Sequence, residues 1–258
     1  MSLDIEIRGS GPPLVLVHGW ALHGGVFAPL VERLSERFTL HAVDLPGHGR
    51  SRDSAVPLTL QACVEAICAA TPPAAWLGWS LGGLFALKAA AVSGQVRALA
   101  MVSSTPRFTT APDWAHAVEP KVFAQFGTDL AQDYRGTLER FIALDALGSQ
   151  HARAELRSLR EMLYAHGEPT AAALQAGLGL LERSDLRHTL PGLDLPSLWI
   201  AGTRDRLVHP RGMEAAAALA PQSTFLEIPG GGHAPFLGHL DPVEAALVPF
   251  LDEAFRAA

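Results

Sequence analysis

Ala74-Ala75-Trp76-Leu77-Gly78-Trp79-Ser80-Leu81-Gly82-Gly83-Leu84 joins two kinds of segment through a single serine. The run from Ala74 to Gly78 is short and continuously apolar, the pattern of a strand buried on both faces. From Leu81 to Val92 the composition is that of a helix. Glycines on both sides of Ser80 permit the sharp, strained turn that lifts a serine hydroxyl above the end of a sheet. The same turn sets that hydroxyl beside a helix N-terminus, whose free N–H groups favour developing negative charge. The G-x-S-x-G spacing alone recurs by chance in many chains. Here the strand before it, the helix after it and the partners further along the chain agree, so Ser80 reads as a nucleophile.

Outward from this turn the alternation continues. Leu14-Val15-Leu16-Val17 is another buried-strand run, followed by the loop His18-Gly19-Trp20. Met1 to Ile7 alternates polar and apolar residues like a strand, and Phe27 to Arg37 spaces its apolar residues like an amphipathic helix. Thr39 to Val43 reads as strand and closes on the turn Asp44-Leu45-Pro46-Gly47-His48-Gly49; Leu60 to Ala70 is helical in composition and Val96 to Val102 a strand. Ser197 to Ala201 and Thr224 to Ile228 resume the strand pattern. Such alternation implies βαβ units and an α/β fold, a mostly parallel sheet with helices on both faces. Between 106 and 185 only helix-like segments occur, such as Asp133 to Leu147 and Ala152 to Tyr164. We therefore expect a core built from 1–105 and 186–258. Residues 106–185 are expected to form a helical cap inserted over the strand ends, where ligands bind to such sheets.

A serine hydroxyl is a poor nucleophile until a base takes its proton, and the base needs an acid to orient it. After a serine turn of this kind the chain order is acid, then histidine. Asp205, in Gly202-Thr203-Arg204-Asp205, follows a buried strand and so falls at the same sheet edge as Ser80. His233 follows the last strand in Gly230-Gly231-Gly232-His233-Ala234-Pro235, whose glycines leave room for a close approach. Asp185 and Asp194 precede their strand and belong to its far end, and His239 lies past Pro235 toward the final helix. The tetrahedral intermediate also needs donors for its oxyanion. The backbone N–H groups of Leu81 and Trp20 are the candidates. The His18 side chain reads as a brace for that loop, and Asp44 and His48 as scaffold.

Composition narrows the classes. The 258 residues suffice for one large α/β domain or one carrying an insertion. A hydrophobic fraction of 48% with 18% charged residues fits a globular chain with a sizeable core. The net charge of −6 argues against general binding to nucleic acid or an anionic membrane. Cys63 and Cys68 fall on different faces of a helix-like stretch and read as free thiols. The start shows no basic region followed by an apolar one, and Gly, Pro or charges break every apolar run short of a membrane span. A cytoplasmic protein is the expectation. No histidine pair stands at metal-ligand spacing beside a carboxylate, and neither a G-x-G-x-x-G after the first strand nor a P-loop is present, so we expect no metal and no cofactor.

The runs Leu16-Val17-His18-Gly19-Trp20, Phe38-Thr39-Leu40-His41-Ala42-Val43-Asp44-Leu45-Pro46-Gly47 and Trp76 to Leu84 resemble the pimeloyl-[acyl-carrier protein] methyl ester esterases of biotin synthesis. Glu139-Arg140-Phe141-Ile142-Ala143-Leu144 and His233-Ala234-Pro235-Phe236 resemble them too, and the likeness spans essentially the whole chain. The resemblance implies an α/β-hydrolase fold and a serine carboxylesterase using Ser80, His233 and Asp205. It also implies the substrate, a methyl ester of a pimeloyl chain carried on acyl carrier protein and cleaved through an acyl-enzyme. Substrate contacts follow at Trp20, Ser80, Leu81 and His233 and along Phe141-Ile142-Ala143-Leu144-Asp145. Asp145 stands where the family's pattern has an amide. A carboxylate there could repel the free-acid product; we expect it to point to solvent. Phe123, Phe126, Phe141, Leu144 and Leu147 are expected to supply apolar surface of the cap.

An acidic carrier protein needs a positive face on an acidic enzyme. The cap offers Arg135, Arg140, Arg153, Arg157 and Arg160; the last three share one helical face, and the family's basic residue near Arg135 falls at Gly136. We expect Arg140, Arg153 and Arg157 to steer the carrier. The plainer reading is a solvated face paired with Glu139, Glu155 and Glu161. A monomer is expected. The same scaffold serves general carboxylesterases, carbon–carbon bond hydrolases and cofactor-free haloperoxidases. A broad short-chain carboxylesterase would share every catalytic residue. Dehalogenases and epoxide hydrolases of this fold use a carboxylate nucleophile, which Ser80 is not. A ligand-binding protein with little turnover would have no need of a triad.

Overall fold

The computed structural model describes residues 2–256, so Met1 of the first strand-like run lies outside it. Seven strands form one sheet: β1 (Ile5–Gly9), β2 (Pro13–Val17), β3 (Thr39–Val43), β4 (Ala74–Trp79), β5 (Val96–Val102), β6 (Ser197–Gly202) and β7 (Ser223–Ile228). Their order across the sheet is β1-β3-β2-β4-β5-β6-β7. Only β1 runs antiparallel to its neighbour; every other pairing is parallel. The central strands carry unbroken apolar runs because both faces are covered: all six residues of β4 and all six of β6 are buried. The edge strands β1 and β7 are half-exposed and mix polar residues into their sequence.

The helices of the core are α1 (Ala28–Leu34), α2 (Leu60–Ala70), α3 (Leu81–Val92), α8 (Pro210–Ala217), α9 (Pro235–Gly238) and α10 (Leu240–Arg256). Helices α1 and α10 pack on each other, with α10 against β5 and β6; α3 covers β2, β4 and β5 and packs on α2. Thr59 caps α2 by accepting from the Ala62 N–H. Both cysteines of α2 are free, and burial pushes the Cys63 thiol up to about 12.

The first helix departs from its sequence reading. Gly24–Phe27 forms a 3-10 turn fixed by the His23 side chain, which accepts from the Gly25 N–H. The α-helix therefore starts at Ala28, with Pro29 in its first turn, and ends at Leu34. β1 likewise begins at Ile5, later than the alternation from Met1 suggests.

Residues 106–185 run between β5 and β6. Their first part is not helical: it holds two isolated β-bridges, Thr109 with Val118 and Ala111 with Trp114. Four helices follow, α4 (Pro120–Gln132), α5 (Tyr134–Ala146), α6 (Ala152–Ala165) and α7 (Ala171–Arg183). Asp133 caps α5 and Thr170 caps α7. The two ends of the segment are tied together: Leu186 N–H donates to Pro106 O at 2.9 Å, and Arg107 and Arg187 both bond Asp185. Those two arginines, Arg187 foremost, hold the Asp185 carboxyl well below the usual carboxylate range.

The register of the parallel strands decides where chemistry can gather. Val17 pairs with Gly78, Trp79 with Val102, Val102 with Ile200 and Gly202 with Ile228. The carboxyl ends of β2, β4, β5, β6 and β7 thus finish together, and the loops bearing Trp20, Ser80, Ser104, Asp205 and His233 emerge along one edge. The close approach is paid for at Gly82, where a Cβ would sit 2.0 Å from Val17 O and 2.6 Å from His18 O. Gly82→Ala should therefore cost about 3 kcal/mol, the upper range of overpacking, and lower Tm by roughly 6–12 °C for a chain of this size. Calorimetry checks this, and an unchanged Tm would refute the crowding at the β2 end.

Candidate active site

β4 delivers Ser80 into a backbone conformation that L-residues rarely adopt, φ 53 and ψ −123. Such strain costs on the order of 1–3 kcal/mol and persists only where the surroundings over-determine it. They do so here: Ser80 N–H donates to Val102 O at 3.0 Å, while Ser80 O accepts from Gly83 N–H at 3.0 Å and from Ser104 Oγ at 2.6 Å. Leu81 is the first residue of α3, so its N–H has no acceptor within the helix.

Asp205 follows β6 in a turn that uses one of its carboxylate oxygens. Oδ1 accepts from the N–H groups of Leu207 and Val208 at 2.8 and 2.9 Å, which leaves Oδ2 aimed at His233 Nδ1, 2.9 Å away. The His233 loop is pinned from three sides: Trp79 Nε1 donates to His233 O at 2.7 Å, Arg204 N–H to Gly231 O at 2.9 Å, and His233 N–H to Asp145 O at 3.2 Å. His233 Nε2 lies 2.8 Å from Ser80 Oγ. With the Asp205 carboxylate accepting at Nδ1, the neutral imidazole carries its proton there, and Nε2 accepts from the serine hydroxyl. Ser80, Asp205 and His233 are all buried. Burial alone would lower the His233 pKa; the Asp205 charge and hydrogen bond, with the Asp145 charge, outweigh it and raise the value.

Asp145 does not point to solvent, contrary to the expectation from its charge. It is 0% exposed, and its Oδ1 lies 3.9 Å from His233 Nε2. Among the described residues neither of its carboxylate oxygens has a hydrogen-bond partner. Burial pushes the carboxyl up to about 7, with His233 opposing the shift and Asp205 adding to it. The helical period explains the placement: Leu138, Phe141, Ile142, Asp145 and Ala146 form the buried stripe of α5.

The segment Phe141-Ile142-Ala143-Leu144-Asp145 spans more than one turn of α5, so its side chains cannot all meet one point. Phe141 packs edge-on against Trp20 at 4.6 Å between centroids, and Ile142 is fully buried. Ala143 and Leu144 instead line an open apolar groove of about 690 Å³ with Phe126 and Leu147, rimmed by Lys121 and Arg140. That groove does not include Ser80; it borders an aromatic cluster in which Phe126 packs on Phe141 and Trp20. Trp20 itself is fully buried, and its Nε1 donates to Leu174 O of α7 at 2.8 Å. Of the other apolar residues, Phe123 is buried and Leu147 is 52% exposed.

The neighbouring histidines are structural. His18 Nδ1 donates to Gly19 O at 2.7 Å and Nε2 accepts from Leu45 N–H at 2.9 Å, which makes it the brace of the Trp20 loop; burial, foremost, holds it neutral. Asp44 accepts from the N–H groups of Gly24 and Arg50. His239 faces His151 and Glu155 instead of Ser80. Among the described residues no three His, Cys, Asp or Glu side chains gather as metal ligands would.

On the cap helices the arginines differ. Arg140 lies 3.3 and 3.4 Å from Asp129 and Asp133, Arg160 pairs with Glu139, and Arg135 with Glu168. Arg153 and Arg157 are exposed on α6 and, among the described residues, make no ion pair. Glu155, read from sequence as a surface partner for them, is 1% exposed and accepts from Ser149 Oγ at 2.6 Å. It too lies on a buried stripe, with Leu159 and Leu163. Ser104 escaped the sequence reading because neither motif nor charge marks it, and Trp79, although inside the serine motif, gave no sign that its indole would hold the histidine loop.

The alpha/beta hydrolase fold family matches residues 12–240. The chain is 66% identical to the pimeloyl-[acyl-carrier protein] methyl ester esterase of Xanthomonas oryzae pv. oryzae over 249 residues, 96% of this chain and 98% of that one. It is 67% identical to the protein of the same name from Xanthomonas campestris pv. campestris, with the same coverage. Among solved structures, an esterase from Exiguobacterium antarcticum shares the fold with a TM-score of 0.84 at 22% identity, covering 97% of this chain and 95% of that one.

The buried Asp145 sets a stability test. Its folded-state pKa lies above the ordinary 3.8 of the unfolded chain, so the folded protein holds the extra proton and stability falls as pH rises from about 4 to about 7. Asp145→Asn should remove that loss. The variant is expected to be more stable than the parent at pH 8 by on the order of 3 kcal/mol, with the gain shrinking toward pH 4.5. Urea unfolding at the two pH values measures it; an equal difference at both would contradict the buried, unpaired carboxyl.

Proposed function

We propose how the site acts in a chain that belongs to the pimeloyl-[acyl-carrier protein] methyl ester esterases, within the α/β-hydrolase fold family. Ser80 is the nucleophile, His233 the base and Asp205 its orienting acid. The observation that carries this is the unbroken line from Asp205 Oδ2 through His233 to Ser80 Oγ, at 2.9 and 2.8 Å.

The chemistry follows from that line. Ser80 Oγ attacks the ester carbonyl while its proton passes to His233 Nε2. The imidazolium, held by the Asp205 carboxylate, then gives the proton to the departing methoxide, which leaves as methanol, and an acyl-Ser80 remains. The N–H groups of Leu81 and Trp20 hold the oxyanion; the first belongs to a helix start and the second to the loop that Gly82 allows against the serine turn. Water repeats the sequence on the acyl-enzyme and releases the acid. Because His233 must be neutral to act and its pKa is raised, kcat/KM should climb with pH through a midpoint above 6.5. A pH–rate profile with its midpoint below 6 would refute the assigned base environment.

Residues 1–105 and 186–258 form the core in this reading, and 106–185 the cap that shapes the substrate site. The apolar groove lined by Phe126, Ala143, Leu144 and Leu147 suits a polymethylene chain. The remaining assigned contacts are Trp20, Ser80, Leu81, Phe141, Ile142, Asp145 and His233. An acyl carrier protein presents the ester. Arg153 and Arg157, free of ion pairs among the described residues, provide steering charge, and Arg140 contributes less because two aspartates already flank it. The enzyme acts as a cytoplasmic monomer; its free cysteines suit a reducing compartment, and its exposed large apolar residues, Ile7, Val92, Leu147, Tyr164 and Leu219, are scattered over separate segments. No helix among the described residues is long and apolar enough to cross a membrane.

The test sets kcat/KM for pimeloyl methyl ester on acyl carrier protein against that for a small aryl ester. Ser80→Ala should lose about 10⁴-fold or more in kcat on both; a loss below tenfold would remove Ser80 from the mechanism. Preference for the carrier-bound ester supports the assigned substrate, whereas activity on the small ester alone would leave a broad carboxylesterase. Reversing both Arg153 and Arg157 to Glu should cut kcat/KM for the carrier substrate about tenfold at low salt and leave the small ester within about twofold. Equal losses on both substrates would deny the arginines a steering role.

A further inference from the structure

Three observations single out Asp145. Its carboxylate is fully buried, it has no hydrogen-bond partner among the described residues, and its Oδ1 stands 3.9 Å from the His233 nitrogen that faces Ser80. A buried acceptor without a donor is costly, and proteins retain such groups where a ligand supplies the donor. The backbone fixes the pair as well, since His233 N–H donates to the Asp145 carbonyl, so helix α5 and the histidine loop move together. Direct bonding between Oδ1 and Nε2 is excluded by the distance.

The separation does suit one small molecule with two donors. An oxygen making hydrogen bonds of about 2.8 Å to both acceptors would subtend roughly 90° between them, close to the bond angle of water. We propose that Asp145 positions the hydrolytic water for deacylation and disfavours an alcohol in the same place. The inference rests on the reading of Ser80 as nucleophile and His233 as base. In the second half-reaction the water oxygen attacks the acyl carbon and one of its protons passes to His233 Nε2. The other proton stays on that oxygen, donating to Asp145 Oδ1. As the intermediate collapses, the carbon–Oγ bond breaks, the Nε2 proton goes to Ser80 Oγ, and the carboxylic acid leaves and ionises in solvent.

Methanol, released in the first half-reaction, has only one O–H. Directed at His233 it turns its methyl group toward Asp145, so the carboxylate stays unpaired and the reverse reaction is suppressed. Asn at this position keeps a carbonyl acceptor, whereas Leu keeps the bulk and removes the acceptor.

The test is nucleophile partitioning. A p-nitrophenyl ester of a short acid is hydrolysed in water containing methanol, and the ratio of methyl ester to free acid is measured for the parent, Asp145→Leu, Asp145→Ala and Asp145→Asn. The ratio does not depend on which step limits turnover. Losing one hydrogen bond to a charged group predicts a ratio about tenfold or more higher in the Leu and Ala variants. The Asn variant, which keeps a neutral acceptor, should give a ratio between theirs and the parent's. An unmoved ratio in whichever of the Leu and Ala variants folds would overturn the proposal. Ser80→Ala in the same assay separates the two readings: activity surviving there sinks the nucleophile assignment, whereas an inert Ser80→Ala with an unmoved ratio sinks Asp145 alone.

Discussion

Everything at the site hangs on one residue held in the left-handed region. Ser80 at φ 53 would relax if it could, and what prevents it is distributed over two neighbouring strands and the loops that follow them. β5 supplies the Val102 carbonyl for its N–H and the loop after β5 the Ser104 hydroxyl for its carbonyl, while the Val17 carbonyl at the end of β2 and the His18 carbonyl after it press against Gly82. The cost of the strain is local, but the restraint comes from the parallel register of the whole sheet. That is why a shift in β2 or β5 would reach the nucleophile, and why the turn tolerates so little substitution around it. The same restraint aims the start of α3 at the space above Ser80, so the proposed nucleophile and one proposed oxyanion donor are set by one backbone feature.

His233, the proposed base, shows how a buried imidazole is kept usable. Burial disfavours its imidazolium, and a reaction that passes through that cation needs the cost met by nearby charge. Asp205 meets it at Nδ1 through a carboxylate already fixed by two N–H donors. Asp145 stands on the Nε2 side without such donors. At an effective dielectric near 20, an ionised carboxylate 3.9 Å from the imidazolium contributes about 4 kcal/mol of attraction. The two carboxylates are therefore not equivalent: one is a fixed orienting group, and the other is a charge whose ionisation depends on what occupies the site.

The parallel core was legible because strands buried on both faces read as continuous apolar runs, and the residues at their carboxyl ends follow directly. Ser80, Asp205 and His233 each sit just past such a run, and the structure brings all three within hydrogen-bond reach of one another in line. Asp145 and Glu155 were misread for a common reason. Both were taken for surface groups on chemical type, although the helical period places them beside Leu138, Phe141 and Ile142, or beside Leu159 and Leu163. Period outranked polarity in both helices, and in α5 the exception lies at the candidate active site. The first helix differs in another way: the apolar period from Phe27 to Arg37 outlasts the helix, which ends at Leu34 and gives way to a turn before β3.

Among the side chains that link cap and core, Trp20 has two allegiances. The Trp20 backbone belongs to the loop after β2, where His18 braces it. Its ring belongs to the cap: Nε1 bonds Leu174 of α7, its face meets Phe141 of α5 and Phe126 of α4, and Gly177 leaves the space it occupies. Displacing α7 therefore strips the indole of its hydrogen bond, and displacing α5 removes Phe141 from Trp20 together with the Asp145 carbonyl from the His233 N–H. Both the proposed oxyanion donor and the base are thus referred to cap helices that also line the apolar groove. With the acyl chain in that groove as proposed, its contacts reach Trp20 and His233 through α4 and α5, which would make recognition far from the ester and geometry at the ester parts of one packed unit. In the proposed enzyme, selectivity therefore rests on cap residues as well as on the proposed triad.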